Sequence, residues 1–356
     1  MTVLPWWDSL SSVGLLVLVN LSFSSYQVLS SLAFQSGASP LVFAFLRDLT
    51  AVLFFLPTLY LVESRLPPSE QQFWIKREHG FHIVALALLV YGTSCYSVLA
   101  IKNLSAQVYG LLSPTAPIIT ILASWAFGID VFNPRALSTW AKIVGIVLSV
   151  GGAVVLVVFS NSSAAHGASH GGGASLSLGL AYIIGHKLCC GLYPLLQKVC
   201  LVNFMYPSLT LTTWAYTIGA VFVGLSVTTG AASSEAWQFS PITIGAIAFS
   251  GVVAAFFNYY AMAFVNNLTA AWFVMSFYPL QSIFTPYLSA LFLGSTLGVA
   301  EYIGGAIVVL GLGCCIGGQL LDGSGLQTGA QAMDPERVEA LTRTLTATFT
   351  FAPFHT

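Results

Sequence analysis

The chain has 356 residues, of which 6% are charged and 56% are hydrophobic, and its mean hydropathy is +0.85. A water-soluble fold of this size cannot cover its surface with so few charges, so the composition predicts a multi-pass membrane protein. The net charge of −1 argues against nucleic-acid partners, because no basic surface is available to neutralise phosphates.

Ten apolar stretches follow one another along the chain, and each approaches the roughly 20 residues that a helix needs to cross the hydrocarbon core. They are predicted as transmembrane helices at residues 10–33, 40–62, 80–100, 105–127, 139–159, 176–199, 207–229, 240–264, 269–292 and 298–319. The separators carry turn residues such as Pro40, Pro134 and Pro241. The first stretch is longer than the apolar core of a signal peptide, so a retained span is expected.

One short segment occurs twice in related form. Residues 96–106 read YSVLAIKNLSA, and residues 260–270, 164 positions later, read YAMAFVNNLTA. Both copies lie where one apolar stretch ends and the next begins, which predicts a duplicated unit of five spans. An odd number of spans requires that the second unit is inverted. The predicted fold is therefore all-α, with ten transmembrane helices in two inverted five-helix repeats and a substrate site between them.

A Ser-, Gly- and His-rich segment separates the fifth and sixth stretches. We predict a first repeat at 1–160, a linker at 161–175, a second repeat at 176–320 and a tail at 321–356.

Lys and Arg placement predicts the orientation, because cytoplasmic loops carry an excess of these residues. With the amino terminus inside, Lys102 lies outside and eight other cations lie inside. The eight are Arg65, Lys76, Arg77, Arg135, Lys142, Lys198, Arg337 and Arg343. Both termini are therefore predicted to be cytoplasmic and the linker external. The sequence does not distinguish the plasma membrane from an endomembrane.

Several segments resemble one known superfamily. They are Ser39–Ala51 (SPLVFAFLRDLTA), Tyr96–Ala106, Lys142–Gly145, Asn267–Ala270 and Glu301–Gly305. With them, the chain resembles the drug/metabolite transporter superfamily in its EamA-type two-repeat form. It looks most like the plant nodulin-like branch that includes amino-acid and auxin exporters. The resemblance covers about residues 10–320 and implies a membrane transporter whose third, fourth, eighth and ninth spans line the centre.

Charged residues inside the predicted spans are the sharpest functional signal, because each costs about 2.5–3.5 kcal/mol at a helix centre on insertion scales. Lys187 lies near the middle of span six, where it can hold a substrate carboxylate or form a structural pair with a carbonyl or Asp48. Arg47 can bind a carboxylate with its guanidinium fork or pin helix ends together. His186 and Asp48 are candidates for proton coupling, with a satisfied interior histidine as the alternative for His186.

Polar residues also form stripes on two predicted helices. In span one, Asn20 and Gln27 share a face, and in span six His186 and Tyr193 do so. Such a stripe either lines a cavity or hydrogen-bonds a neighbouring helix. We take Asn20, Gln27 and Tyr193 as candidate substrate-binding residues.

Three aromatic residues complete the candidate substrate site. Tyr96, Tyr260 and Trp272 lie in spans that the resemblance places at the centre, where they can stack on a substrate or hold a cation. Their alternative is an ordinary place in the core or at the membrane interface. Pro114, Pro117 and Pro279 can interrupt helix hydrogen bonds in spans four and nine and free carbonyls toward a cavity, or form purely structural kinks.

The chain carries no motif for a cofactor or for catalysis. His166 and His170 lie in a Gly-rich segment without further ligands, so a metal site is not expected. Without a nucleotide-binding loop or a nucleophile motif, neither an enzyme nor an ATP-driven pump is indicated. We predict a secondary active transporter or exchanger in the lipid bilayer, for an amino acid or another small carboxylate. The alternatives are a sugar-phosphate or nucleotide-sugar exchanger, and a non-transporting receptor or assembly subunit.

Overall fold

The computed structural model describes residues 6–104, 106–127, 135–159, 173–229, 237, 239–294 and 298–322. These residues form helices joined by short turns, and no strand occurs among them. The predicted linker at 161–175 lies mainly outside the described residues, although the next helix already begins at Gly173. The predicted tail lies outside them from residue 323 onward.

The described residues of the first half form six α-helices and one short 3₁₀ turn. They are α1 (Trp6–Gln35), α2 (Pro40–Glu63), the 3₁₀ turn Arg77–His79, α3 (Gly80–Asn103), α4 (Ala106–Leu111), α5 (Thr115–Ala126) and α6 (Leu137–Phe159). Gly37, with φ of 93°, allows the tight reversal between α1 and α2. Pro40 then starts α2, where its missing N–H is not needed.

In the second half, the part of the chain that the structure describes forms seven α-helices. They are α7 (Gly173–Asn203), α8 (Ser208–Thr229), α9 (Pro241–Phe249), α10 (Asn258–Leu268), α11 (Ala271–Ser276), α12 (Gln281–Leu293) and α13 (Val299–Asp322). A π-helical segment, Ser250–Phe257, joins α9 to α10 without a break, and a 3₁₀ turn, Tyr278–Leu280, precedes α12. Ser240 caps α9 by accepting a hydrogen bond from the backbone N–H of Thr243.

Within the described ranges, six helical segments are long and apolar enough to cross a membrane. They are Ser12–Gln35, Pro40–Glu63, Arg77–Asn103, Ser177–Asn203, Ser208–Thr228 and Pro241–Leu268. Shorter apolar helices occupy Thr115–Ser124, Leu137–Gly152 and Tyr302–Gly318. The molecule is therefore a multi-pass helical membrane protein, and each of the six long segments coincides with a predicted span.

Two of the predicted spans are divided rather than continuous. Residues 105–127 form α4 and α5 with a break before Thr115, and residues 269–292 form α11, the 3₁₀ turn and α12. Pro114 and Pro279 lie at the two breaks, where proline removes a backbone donor and crowds the preceding turn. The predicted interruption is seen at Pro114 and Pro279, whereas Pro117 lies in the first turn of α5, where a proline leaves the helix continuous.

Glycines allow helices from the two halves to approach closely. A Cβ added at Gly145 of α6 would lie 2.6 Å from the carbonyl oxygen of Gly311 in α13, and one at Gly152 would lie 2.7 Å from that of Gly304. Small residues at such contacts let backbones meet, which stabilises helix pairs in membranes. The first helix of each half also packs against the opposite half: α1 against α9, α10 and α12, and α7 against α3 and α5.

An aromatic clasp joins the α2–α3 connection to the α7–α8 connection and the second turn of α8. It consists of Trp74, His79, Phe204, Tyr206 and Trp214. The His79 ring stacks on Phe204 with centroids 3.8 Å apart, and Trp74 lies 5.0 Å from Trp214. The Tyr206 hydroxyl lies 2.8 Å from His79 Nδ1 and accepts a hydrogen bond from a backbone N–H of the first half. The clasp therefore fastens the two halves together at this end of the bundle.

Candidate functional site

A small, partly open cavity lies between the two halves. Helices α1 to α4 of the first half enclose it together with α7, α8, the π segment, α10, the 3₁₀ turn and α12 of the second. Its polar and aromatic lining consists of Phe23, Tyr26, Gln27, Arg47, Thr93, Ser97, Tyr109, His186, Cys190, Tyr216, Tyr259, Tyr278 and Gln281. A cavity that draws on both halves is where a transporter binds its substrate.

Arg47 is the cation that borders this cavity. It projects from α2, is 6% exposed and has every nitrogen engaged. Nη1 donates to the Tyr26 hydroxyl at 2.7 Å, Nη2 donates to the Ser94 hydroxyl at 2.6 Å, and Nε donates to Asp48 Oδ1 at 2.9 Å. The guanidinium is thus held in one orientation by three helices.

Asp48 lies behind Arg47 and is fully buried. Consecutive helix residues point about 100° apart, so the long arginine side chain bends back to reach its neighbour. Arg47 Nη2 lies 2.8 Å from Asp48 Oδ1. The other carboxylate oxygen, Oδ2, has no hydrogen-bond partner among the described residues. The pair is therefore neutral as a unit, and its aspartate does not line the cavity.

His186 reaches the cavity from α7 and contacts Tyr109 of α4. The Tyr109 hydroxyl lies 3.0 Å from Nδ1 and 3.1 Å from Nε2 of the imidazole. Lys187, the next residue, is 2% exposed and stands one layer back from the cavity. Its ammonium lies 4.8 Å from the Tyr109 ring centre and donates to the Ser113 hydroxyl at 3.4 Å. Within the described residues, no carboxylate lies within ion-pair distance of Lys187.

A network of amides connects α1 to α12. Gln27 Nε2 donates to Gln281 Oε1 at 2.7 Å, and Gln281 Nε2 donates to Asn20 Oδ1 at 2.9 Å. Thr285 donates to Gln27 Oε1 at 2.7 Å, and Ser113 donates to Gln281 Oε1 at 3.2 Å. The sequence left open whether the polar stripe of α1 lines a cavity or hydrogen-bonds a neighbouring helix. It does both, because Gln27 lines the cavity and Asn20 bonds Gln281 of α12 behind it.

Four other predicted site residues lie away from the cavity lining. Tyr193 packs behind Tyr259, with ring centres 5.5 Å apart. Tyr260 is buried in the core beside α8. Tyr96 is 38% exposed and stacks on Tyr182. Trp272 carries the Lys142 ammonium 4.5 Å from its ring centre. The structure therefore brings together Gln27, Arg47 and His186, with Lys187, Asn20 and Asp48 one layer behind.

Several lining residues were not singled out from the sequence. Gln281 follows the Pro279 break, and a polar residue directly after a helix interruption is a signal that could have identified it. Tyr216 lies in the middle of apolar α8 and carries no local signal, yet it is 1% exposed and packs 4.8 Å from Tyr259. Among the described residues no group of three metal ligands occurs.

Apolar spans around a buried polar cavity define a membrane protein of the transporter class. The EamA-like transporter family matches residues 10–158 and 177–316 of this chain, and the chain belongs to that family.

Two plant proteins and one solved structure are similar to the chain over most of their length. WAT1-related protein At1g44800 of Arabidopsis thaliana is 26% identical over 328 residues, covering 86% of each chain. Protein WALLS ARE THIN 1 of the same plant is 24% identical over 311 residues, covering 82% of this chain and 78% of its own. One solved crystal structure matches with a TM-score of 0.61 at 13% identity, over 84% of this chain and 98% of its own. That match supports the fold alone.

Proposed function

We propose that the protein is a secondary active transporter or exchanger of a small organic metabolite with a carboxylate, such as an amino acid. The substrate binds in the central cavity, and the two halves rock around it to open the cavity to one side of the membrane and then to the other. The observation that carries this proposal is the placement of Arg47 and His186 in a tyrosine-rich cavity that both halves enclose.

Helix packing supports an arrangement of ten spans in two inverted repeats. The first helix of each half packs on the other half, while α2 pairs with α8 and α6 pairs with α13. These are the pairings expected if a two-fold axis in the membrane plane exchanges the halves. The two proline breaks fall in the fourth span of each half. We propose that both termini are cytoplasmic, in accordance with the distribution of Lys and Arg.

The charge around the cavity favours a substrate with a single negative group. Arg47 is neutralised by Asp48, whereas Lys187 has a hydroxyl and a phenol ring as its described neighbours. One net positive charge near the cavity complements one carboxylate. A sugar phosphate or nucleotide sugar carries more negative charge than this arrangement balances.

A binding screen tests the proposal. The purified protein is heated with amino acids, aromatic carboxylates, sugar phosphates, nucleotide sugars or cationic drugs, because a ligand of the native state raises apparent stability by mass action. We expect stabilisation by carboxylates, and flux of the same compounds in proteoliposomes. Stabilisation by sugar phosphates or nucleotide sugars alone would instead favour a sugar-phosphate or nucleotide-sugar exchanger. Binding of a compound without flux would favour a receptor.

A paired substitution locates the site. Arg47→Gln combined with Asp48→Asn removes both charges of the buried pair, which disturbs folding less than leaving one charge alone. This variant should lose stabilisation by carboxylates. The control Lys102→Ala removes an exposed cation at the end of α3 and should retain it. Equal binding by the paired variant and the wild type would contradict the proposed site.

A further inference from the structure

We infer that Asp48 is a proton-binding site whose occupancy is linked to substrate binding at Arg47. A substrate carboxylate and Asp48 compete for the same guanidinium, and Asp48 takes up one proton when it is displaced. This inference rests on the proposed function, since it names the coupling ion of the same site.

The geometry of the pair makes the competition direct. Arg47 borders the cavity and Asp48 does not. The contact between them uses Nε and Nη2 of the guanidinium and a single oxygen of the carboxylate. A carboxylate in the cavity would therefore bind the donors that now hold Asp48. A guanidinium presents a fork that favours a bidentate carboxylate, so a substrate with both oxygens available is an effective competitor.

No other described group can replace Arg47 as the counter-ion of Asp48. The titratable groups that face the carboxylate are the Cys95 thiol of α3 and the phenols of Tyr216 and Tyr259. Each is neutral when protonated and negative when not, so none supplies a positive charge. A buried carboxylate without a counter-ion is so unfavourable that it neutralises by binding a proton.

The proton has a vacant position on the carboxylate. Oδ2 of Asp48 has no hydrogen-bond partner among the described residues, so it can accept a proton without breaking another bond. When the substrate enters, the guanidinium N–H groups pass from Asp48 to the substrate oxygens, and one proton from water bonds to Oδ2. When the substrate leaves on the other side, Oδ2 releases the proton to water and Asp48 pairs with Arg47 again.

Charge balance follows from this exchange. The cavity gains one anionic carboxylate and one proton, so its total charge is unchanged when a monocarboxylate binds. A zwitterionic amino acid then moves with one net positive charge, and a monocarboxylate moves with none. Because a proton is taken up with the substrate, affinity for a carboxylate should fall as pH rises, by about tenfold per unit for one linked proton.

Proton uptake on binding tests the inference directly. The purified protein, in weakly buffered detergent with a pH-indicator dye, is mixed with phenylacetate, L-phenylalanine or phenethylamine. These probes share an aromatic ring, and only the first two carry a carboxylate. We expect about one proton taken up per bound phenylacetate or phenylalanine, and none with phenethylamine.

A matched pair of variants assigns the proton to Asp48. Asp48→Asn keeps the shape of the side chain and removes the competitor, so phenylacetate should bind without proton uptake, with an affinity that no longer depends on pH. At alkaline pH it should bind at least tenfold more tightly than to the wild type, by the same linkage. Glu63→Gln changes another buried carboxylate of α2, one that lies outside the cavity lining, and should behave like the wild type.

Each outcome has a definite reading. Binding of phenylacetate by the wild type without proton uptake would overturn the inference and leave the proposed function standing. Proton uptake that persists in Asp48→Asn would assign the proton elsewhere and also overturn it. If Asp48→Asn does not fold, two measurements on the wild type test the inference. They are the number of protons taken up per bound phenylacetate and the change of phenylacetate affinity with pH. Failure of every carboxylate to bind the wild type would overturn the proposed function, and the inference with it.

Discussion

Lys187 is a buried charge whose partners are weak ones. An ammonium removed from water loses several kcal/mol of hydration, and a hydroxyl and an aromatic ring return only part of this. Burying a charge with partners of this kind costs stability, which makes Lys187 a residue whose removal separates stability from binding. Lys187 stands behind Tyr109 and outside the cavity lining, so we expect any effect on the proposed substrate to be through its electric field rather than by contact.

Replacing Lys187 by methionine separates stability from binding. Methionine fills a similar volume without a charge, so the thermal midpoint of the purified protein should stay equal or rise. Carboxylate binding should weaken roughly tenfold, because the field of a charge one layer away is lost. Thermal unfolding and ligand titration measure the two effects. A variant that is less stable but binds normally would show that the lysine is structural, and Lys102→Met is the exposed control.

The pairing of α6 with α13 depends on backbone contact between elements. Gly145 and Gly311 leave no room for a methyl group, whereas an added Cβ at Gly151, on the exposed side of α6, would meet nothing within 4 Å. Gly145 and Gly151 both lie on α6 and differ in what they face, so the same substitution can be compared at the two positions.

Alanine at Gly145 should lower the stability of the protein, whereas alanine at Gly151 should not. Gly145→Ala should cost about 1–3 kcal/mol of stability through overpacking against the partner helix. Gly151→Ala should be neutral or stabilising by up to about 1 kcal/mol, because alanine favours the helix. Chemical denaturation in detergent compares them. Equal stability of the two variants would show that α6 and α13 do not pack as described.

The aromatic clasp has to part if the halves rock apart at that end. Phe204→Ala removes the ring on which His79 stacks, so the clasp should open more often and expose Cys200, which is fully buried nearby. Peptide-resolved mass spectrometry of N-ethylmaleimide labelling should show faster modification of Cys200. Phe292→Ala, which removes an exposed ring elsewhere, should leave the rate unchanged. An unchanged rate in Phe204→Ala would mean that this end stays shut.

At the scale of the whole molecule, the spans could be predicted because apolar length is a local property. The six long helices match predicted stretches, and the breaks in two further stretches follow from Pro114 and Pro279. Arg47 and His186 could be found because a charge or an imidazole stands out within an apolar run. Tyr216 could not be identified from the sequence as a cavity-lining residue, since the direction in which its side chain points depends on how α8 is rotated about its axis. Trp272 illustrates the converse, because its ring lies beside Lys142 and not in the cavity.

The amide network also has a consequence for how the chain is made. Gln27 and Asn20 bond Gln281, which lies 254 and 261 residues later, so their polar groups meet it only after α12 has left the ribosome. Until then, α1 waits in the bilayer with amides that lipid cannot satisfy. A chain that stops before residue 281 is therefore expected to leave the Gln27 amide of α1 without this partner.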